Sequence, residues 1–448
     1  MVLPAGFRRG FAALRVRNYR LYWTGQVISR IGTWMQQVSL PWLVLALGGS
    51  PIQLGIVAAL EFVPAMVLAP FGGVFADRLD KRRAILVTQA LASVQVIVLF
   101  VLTISGAITI PIIMALAFAL GLVNAADMPL RQALAAELVP RNILTNAIAL
   151  NSMAFNGARV IGPAVAGVTI AIGASMFHTQ TAGVAFNLAI NAVSYSAVLI
   201  SLWIMDPAEI RRPQQPDLPV PVFESLREGI GYAVRTPIVL WALVLLGAIA
   251  TFGLNFRILL PLFTQDVLNL QADAYGALYA SMGVGSLAGA LTLAFMHERR
   301  AVALMIGGGL LFGLFELGLA FTRNGLLAVP LFMGIGFFSM LMINTINATV
   351  QANVSDELRG RVMALYVTVF AGSSPIGGLF AGAIAETWGV PTTFLMGALI
   401  SLAAAVVVWW RFRLAGHAGA LGRTRIGVGD RYEDRADRGD HQEQSLSA

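Results

Sequence analysis

The chain is dominated by long apolar segments that recur along its whole length and are separated by short polar connections. A bilayer core of about 30 Å needs roughly 20 apolar residues per helix. We count twelve such segments, at 20–47, 52–75, 84–105, 109–134, 143–172, 181–204, 237–263, 273–296, 301–322, 327–350, 362–385 and 391–411. Because hydrocarbon leaves backbone groups without other partners, each segment has to be helical. The sequence therefore predicts an all-α membrane protein with twelve transmembrane helices.

Composition supports a membrane protein and argues against an enzyme. Of the 448 residues, 57% are hydrophobic and only 12% are charged, whereas a soluble domain carries about a quarter charged residues. Zero cysteines exclude disulfides and thiol chemistry. The four histidines are scattered over loops and tail, and the phosphate-binding loop of ATPases is absent from the sequence. We expect no cofactor, no metal site and no enzymatic activity.

The positive charge is distributed in a way that predicts topology. The net charge is +7, and 26 of the 30 basic residues fall in cytoplasmic segments if the N-terminus is inside. Arg323 is the only one in an external loop, and Arg30, Arg159 and Arg257 lie within predicted spans. This is the positive-inside bias of membrane proteins. We therefore predict cytoplasmic termini, a cytoplasmic central connection, the lipid bilayer as surroundings and no nucleic-acid partner.

The two halves of the chain resemble each other. A shift of 221 residues places Gly55 on Gly276 and Asp77 on Glu298, and a shift of 220 aligns four further residues, beginning with Asn124. Because each repeat holds an even number of helices, both have the same orientation. Such repeats are related by an axis along the membrane normal and bind substrate between them near the midplane. The sequence predicts two pseudo-symmetric six-helix bundles.

Composition also changes along the chain and suggests four regions. Residues 1–204 form the first bundle, 205–236 a cytoplasmic linker, 237–412 the second bundle and 413–448 a cytoplasmic tail. The linker begins rich in proline and then places apolar residues at helical spacing, which predicts an amphipathic helix. The tail is charged and glycine-rich with few apolar residues, so we expect disorder.

A short charged loop after the second span is the most specific motif. It has a glycine pair, one acid and then a basic cluster, and it resembles the loop between helices two and three of the major facilitator superfamily. The matching residues are Gly73, Asp77, Arg78, Lys81 and Arg82. The resemblance implies the major facilitator fold and an intracellular gate. In that gate Asp77 would cap the eleventh helix, and Lys81 would pair with Asp127 of the fourth, with Arg82 beside them.

Two further stretches resemble members of that superfamily. The opening 15–29 looks like the start of the branch that contains enterobactin exporters and macrolide efflux pumps, although Thr33 stands where an acid is common. The fifth span is similar to the glycine–proline motif of proton-coupled antiporters, with Ala166 in place of its closing glycine. The residues of this motif are Gly157, Gly162, Pro163 and Gly167. The resemblance implies close helix packing and a proton-coupled antiporter.

Polar residues inside the spans are costly and usually face a cavity. The first span carries a polar stripe at helical spacing that includes Gln26, Arg30 and Gln37, and the tenth span carries Asn344 and Asn347. Amides of this kind also join helices by hydrogen bonds, and that alternative stays open. For the arginines near mid-span we favour a function, because a buried guanidinium needs a partner.

Glu61 and Arg30 fall at similar depth on adjacent spans. We hypothesise that Glu61 carries a proton, and that Arg30 is its partner or attracts anionic substrate atoms, with Arg159 as the reserve for either role. The alternative is a permanent structural ion pair. Glu316, on a span that is peripheral in the resembled fold, is expected to have a structural or lipid-edge role. Arg257 is expected to reach the membrane surface with its charged end.

Together, the residues and the resemblance predict a secondary active transporter. The favoured form is a proton-coupled exporter of a drug-like or siderophore-like small molecule, working by alternating access as a monomer in a bacterial inner membrane. A lipid or lysophospholipid transporter and an importer remain alternatives within the same class. A non-transporting membrane receptor or scaffold is the alternative from another class.

Overall fold

The computed structural model describes residues 11–210, 222–296 and 301–414, with the backbone alone at 65, 69–78, 222–226, 356 and 414. These residues form helices and connections without any strand, so the predicted all-α class is confirmed. Residues 1–10, residues 211–221 of the linker, the loop at 297–300 and the tail from 415 onward lie outside the described residues.

The first half contains six long helices joined by short turns. They are α1 (Arg17–Ala46), α2 (Pro51–Arg78), α3 (Lys81–Ile104), α4 (Ile110–Glu137), α5 (Leu144–Phe177) and α6 (Gln180–Trp203). Ser50 caps α2 in a reciprocal hydrogen-bonded arrangement with Gln53, and Pro51 fixes the first turn. Each of the six predicted spans in this half corresponds to one helix, with ends displaced by a few residues.

The second half follows a linker helix. The helices are α7 (Val222–Arg235), α8 (Pro237–Phe252), α9 (Phe256–Leu262), α10 (Ala272–Phe295), α11 (Ala301–Phe321), α12 (Gly325–Ala352), α13 (Asp356–Trp388) and α14 (Val390–Leu414). The helix α7 is the predicted amphipathic one, and it packs on α13, where Gly229 approaches the Arg361 carbonyl. The helix α14 continues to Leu414, two residues beyond the predicted end of the second bundle.

The seventh span, predicted as one helix over 237–263, is broken. The helix α8 ends at Phe252, and α9 begins at Phe256 after Gly253, Leu254 and Asn255. The amides of Gly253 and Leu254 both bond to the Ile249 carbonyl, and the Asn255 amide group donates to the Thr251 carbonyl at 2.8 Å. The side chain of Asn255 therefore satisfies a carbonyl that the break sets free.

Eleven helical segments of the described chain are long and apolar enough to cross a membrane when α8 and α9 count as one span. The helix α1 falls short of that criterion although it has 30 residues. Its polar stripe lowers its hydropathy, and its buried positions include Gln26 and Gln36. Because other helices cover these amides, α1 can be the twelfth span without exposing them to lipid.

The two halves meet through two similar helix crossings. In one, α2 crosses α13 where Gly55 faces the Gly378 carbonyl, and in the other α10 crosses α5 where Gly276 faces Gly167. A methyl group on Gly276 would lie 2.6 Å from the Gly167 Cα, so only glycine allows the backbones this close. The internal repeat aligned Gly55 with Gly276. Each of these glycines lies at one of the two crossings, so the repeat predicts that they occupy equivalent places in the two halves.

Among the described residues, side-chain hydrogen bonds join the halves at one end of the bundle. We call this the distal end, which carries the turn before α2, and we call the opposite end, where α1 begins and α7 lies, the linker end. At the distal end the Glu386 carboxylate accepts hydrogen bonds from the Ser50 hydroxyl and the Ile52 amide, both at 2.9 Å. Gln180 donates to Gln271 at 3.0 Å. The halves are therefore joined at the distal end.

Candidate functional site

An ion pair between the halves occupies the centre of the candidate site. The Glu61 carboxylate of α2 accepts hydrogen bonds from Gln37 of α1, at 3.0 Å, and from the Arg257 guanidinium of α9. Only 6% of the Glu61 side chain and 15% of the Arg257 side chain are exposed. The break before α9 places Arg257 at the start of the short helix, where it reaches across to the first half. This arrangement joins three spans through one carboxylate.

Two predictions about these residues are wrong. Arg30 does not pair with Glu61, and Arg257 does not extend to the membrane surface. Arg30 instead lies with its guanidinium carbon 5.7 Å from the centre of the Phe155 ring on α5. Similar depth on adjacent spans does not establish a contact, because it does not specify which face of each helix turns toward the other. The break in the seventh span could have singled out Arg257 as a site residue, since interrupted spans often border transporter sites.

A second polar network lies within the first half. The Asp127 carboxylate of α4 accepts hydrogen bonds from Thr88 at 2.5 Å and Gln89 at 2.9 Å, both on α3, and from Arg131 one turn along α4. Arg131 also donates to the buried Gln26 of α1. The charge of Asp127 is therefore matched by Arg131, and the predicted cavity residue Gln26 instead connects α1 to α4.

The predicted pairing of Lys81 with Asp127 is absent. The Lys81 amine lies 2.7 Å from the Glu137 carboxylate, and Arg82 donates to the carbonyls of Leu202 and Trp203 at the end of α6, at 2.7 and 2.8 Å. Because α3 and α4 are antiparallel, the start of α3 lies beside the end of α4. Asp127 comes ten residues, or about 15 Å, before Glu137.

The remaining residues of the predicted gate are Gly73, Asp77 and Arg78. They belong to the last turns of α2, and their side chains lie outside the described residues. The role of Asp77 at the start of α13 therefore stays a prediction.

The glycine–proline motif of α5 forms two helix contacts. A methyl group on Gly162 would lie 2.4 Å from the Trp34 Cβ of α1, and one on Gly167 would lie 2.9 Å from the Gly276 Cα of α10. Pro163 is buried inside α5 and its carbonyl faces Gly276. Gly157 faces open space. The motif thus brings α1 and α10 against the same stretch of α5.

Beside that stretch lies a group that we call the aromatic–arginine cluster, made of Arg30, Trp34, Phe155, Arg159 and Tyr279. The Trp34 ring meets the Phe155 ring at 5.7 Å and the Tyr279 ring at 6.5 Å between centroids. Tyr279 is on α10, close to Arg159 of α5. The cluster therefore combines residues from both halves of the molecule.

The predicted amides of the second half lie on α12, away from these contacts. Asn344 and Asn347 are both half-buried, and Asn347 accepts a hydrogen bond from Gln351 at 2.6 Å. That bond runs along the helix, and Asn347 also interacts with the Tyr366 side chain of α13.

Glu316 is buried inside the second half, so the expected lipid-edge position is wrong. Its side chain is 0% exposed, and neither carboxyl oxygen has a hydrogen-bond partner among the described residues. A methyl group on Gly397 of α14 would lie 2.6 Å from Glu316 Oε1 and 2.7 Å from the Phe252 carbonyl at the end of α8. The missing Cβ at Gly397 is what gives the carboxyl group its space.

Comparison with known proteins supports a transport protein. The family model described as "Transmembrane secretion effector" matches residues 8–421. The staphyloferrin A transporter of Staphylococcus aureus is 28% identical over 387 residues, covering 84% of this chain and 92% of that protein. The enterobactin exporter of Shigella boydii is 27% identical over 375 residues, covering 82% and 85%. The structure of the nucleoside transporter NupG superposes with a TM-score of 0.70 at 13% identity, over 89% of this chain and 99% of that one. The last comparison confirms the predicted fold.

Proposed function

Because the chain belongs to the transmembrane secretion effector family of the major facilitator superfamily, we propose that it is a proton-driven exporter of small molecules. It would work by alternating access in a bacterial cell membrane, with the linker end in the cytoplasm. The two relatives named above carry siderophores by name, and one of them is an exporter. Their similarity over more than four fifths of this chain supports export of a molecule of similar size.

The observation that carries this proposal is the Glu61–Arg257 ion pair. It lies between the halves, so it can stabilise only those conformations in which α2 and α9 are adjacent. Protonation of Glu61 would remove its charge and leave Arg257 without an anionic partner. A buried charge that loses its partner costs several kcal/mol, which is enough to favour separation of the halves at the distal end.

This gives a physical route from proton binding to transport. With Glu61 ionised, the distal contacts hold and the protein opens at the linker end. With Glu61 protonated from outside, the distal contacts weaken and substrate can leave. When the protein opens again at the linker end, Glu61 releases this proton to the cytoplasm and the ion pair with Arg257 forms again. The Gln37 hydrogen bond links the same carboxylate to α1, and α1 also carries Arg30 and Trp34 of the aromatic–arginine cluster. A substrate that contacts α1 would therefore alter the surroundings of Glu61.

The test is the Glu61→Gln variant in proteoliposomes. Gln keeps the shape of the protonated side chain but cannot release a proton. We expect accumulation against a gradient, driven by an imposed pH difference, to be lost, while the purified variant still binds substrate. Ethidium, chloramphenicol and 2-naphthalenesulfonate serve as cationic, neutral and anionic probes of accumulation.

The control is Glu209→Gln, which removes an exposed carboxylate outside the spans and should leave accumulation unchanged. If Glu61→Gln still accumulates a probe at the wild-type rate, Glu61 is not the coupling group. Import of every transported probe, or flux that ignores the pH difference, would instead favour an importer or a lipid transporter.

A further inference from the structure

The aromatic–arginine cluster contains positive charge that the protein itself does not neutralise. Neither Arg30 nor Arg159 has an ion pair or a side-chain hydrogen bond among the residues that the structure describes. Asp127 is close enough to Arg30 to act on its charge, but Asp127 is already bonded to Arg131. Two guanidinium groups near the middle of the membrane are therefore without a fixed anion.

Such charges are expensive within a bilayer unless something offsets them. Arg30 is the fourteenth residue of the 30 in α1, and Arg159 is the sixteenth of the 34 in α5. Both positions are about 20 Å from the start of the helix, close to the midplane. A second cation, Arg131, lies near Arg30 and repels its charge, which raises this cost further. A mobile anion would remove most of this cost.

Aromatic surface lies beside both guanidinium groups. Phe155 packs beside Arg30 and Trp34. It is nevertheless 40% exposed, so part of its ring faces open space. Arg159 follows Phe155 by one turn of α5, which places its side chain on the same side of that helix. Tyr279 adds a ring from the second half. Flat apolar groups pack favourably on such rings.

We infer that the aromatic–arginine cluster is the substrate site, and that its substrate class is an aromatic anion. The planar guanidinium fork binds carboxylate, sulfonate or phosphate oxygens through two parallel hydrogen bonds. Arg30 and Arg159 hold the anionic group, while Trp34, Phe155 and Tyr279 hold the ring. This inference rests on the proposed function, and it names the chemistry of what is carried.

The position of the cluster also links binding to movement. Trp34 and Phe155 belong to the first half and Tyr279 to the second, so separation of α5 from α10 would pull one wall of the site away. The close Gly167–Gly276 crossing lies on the same pair of helices, toward the distal end. The anion is therefore held tightly in one conformation and released in another, as transport between two open states requires.

The experiment uses three ligands with one aromatic body and different charge. Equilibrium dialysis of the purified protein in detergent, at constant ionic strength, measures binding of 2-naphthalenesulfonate, 2-naphthylmethanol and 2-naphthylmethyl-trimethylammonium. We expect the sulfonate to bind at least tenfold more tightly than the other two. Arg30→Gln and Arg159→Gln should each weaken sulfonate binding about tenfold or more and leave the alcohol unchanged within about twofold.

Two variants keep the result interpretable. Arg159→Lys retains the charge without the fork and should recover part of the affinity, and Arg323→Gln removes an exposed arginine outside the site and should change nothing. Unchanged binding of the alcohol shows that a variant is folded. Equal affinity for all three ligands, or full sulfonate affinity in both Gln variants, would overturn the inference.

The outcome is separable from that of the transport assay. Export of ethidium under a pH difference, without preference for the sulfonate, would retain the proposed function and overturn the aromatic-anion site. Selective sulfonate binding that depends on both arginines, without gradient-driven flux of any probe, would retain the site and overturn the exporter.

Discussion

At the residue scale, two buried glutamates show how the surroundings decide what a carboxyl group does. Glu137 is paired with Lys81 at 2.7 Å, whereas both oxygens of Glu316 are buried without a partner in the described part of the chain. An ionised carboxylate without hydrogen bonds is very costly in an apolar interior. We therefore expect Glu316 to be the neutral acid in the folded protein, where it packs against Gly397 and the Phe252 carbonyl.

This difference predicts that the same substitution costs little stability at Glu316 and more at Glu137. Glu316→Gln replaces a neutral acid with a neutral amide of similar shape, so we expect the free energy of unfolding to change by less than about 1 kcal/mol. Glu137→Gln leaves Lys81 uncompensated and should cost more, up to roughly 3 kcal/mol. Thermal unfolding of both variants in the same detergent measures this. A larger loss for Glu316→Gln would mean that its charge is matched in the folded state.

At the scale of elements, the pairing of α2 with α13 is closed at its distal end by a helix-terminus contact. The Glu386 carboxylate, on the last turn of α13, bonds to the Ser50 hydroxyl and the Ile52 amide at the start of α2. An acid at a helix N-terminus is favoured by the helix dipole and satisfies free amides. The resemblance predicts the converse at the linker end, where Asp77 of α2 would cap α13. One helix pair would then carry a similar contact at each end.

Removing the distal contact should favour opening at that end. In a chain without cysteine, the buried Ala58 of α2 can be replaced by cysteine as a reporter. We expect Glu386→Ala to raise its rate of labelling by a membrane-impermeant maleimide about twofold to thirtyfold, since such a contact contributes roughly 0.3–2 kcal/mol. Glu209→Ala in the same background is the control. If the cysteine at position 58 is labelled at the same rate with and without Glu386→Ala, then Glu386 does not hold the distal end closed.

At the scale of the whole molecule, the described spans alternate in direction along the chain. The start of α1, the linker helix α7 and the end of α14 lie at the same end of the bundle, because each half contributes an even number of spans. The basic residues concentrate in the connections at that end. Charge bias of this kind predicts that the linker end is in the cytoplasm.

Reporter fusions can check this orientation. Fusions after Pro216 and His417 should report the cytoplasm, and a fusion after Arg323, in the turn between α11 and α12, should report the outside. The Arg323 fusion is the internal control for a working outside signal. If the Pro216 fusion reports the outside, then an odd number of spans precedes the linker and the two-bundle organisation fails.

The sequence by itself determined the elements and their order. Apolar length predicts membrane helices because lipid leaves the backbone no other partner, and this local rule located the spans to within a few residues. The aligned Gly55 and Gly276 predicted equivalent places in the two halves. The sequence also marked Glu61, Arg30 and Arg159 as candidates, because charge inside an apolar segment is visible without a structure.

Only the tertiary structure decided which of these residues meet. Glu61 pairs with Arg257, 196 residues away, because the break after Phe252 turns α9 toward α2. Arg30 instead lies over Phe155. A hydropathy pattern gives the depth of a residue in the membrane, but not the rotation of its helix or the identity of the helix that it faces. Those depend on close packing at positions such as Gly167, where the absence of one methyl group sets the distance between two spans.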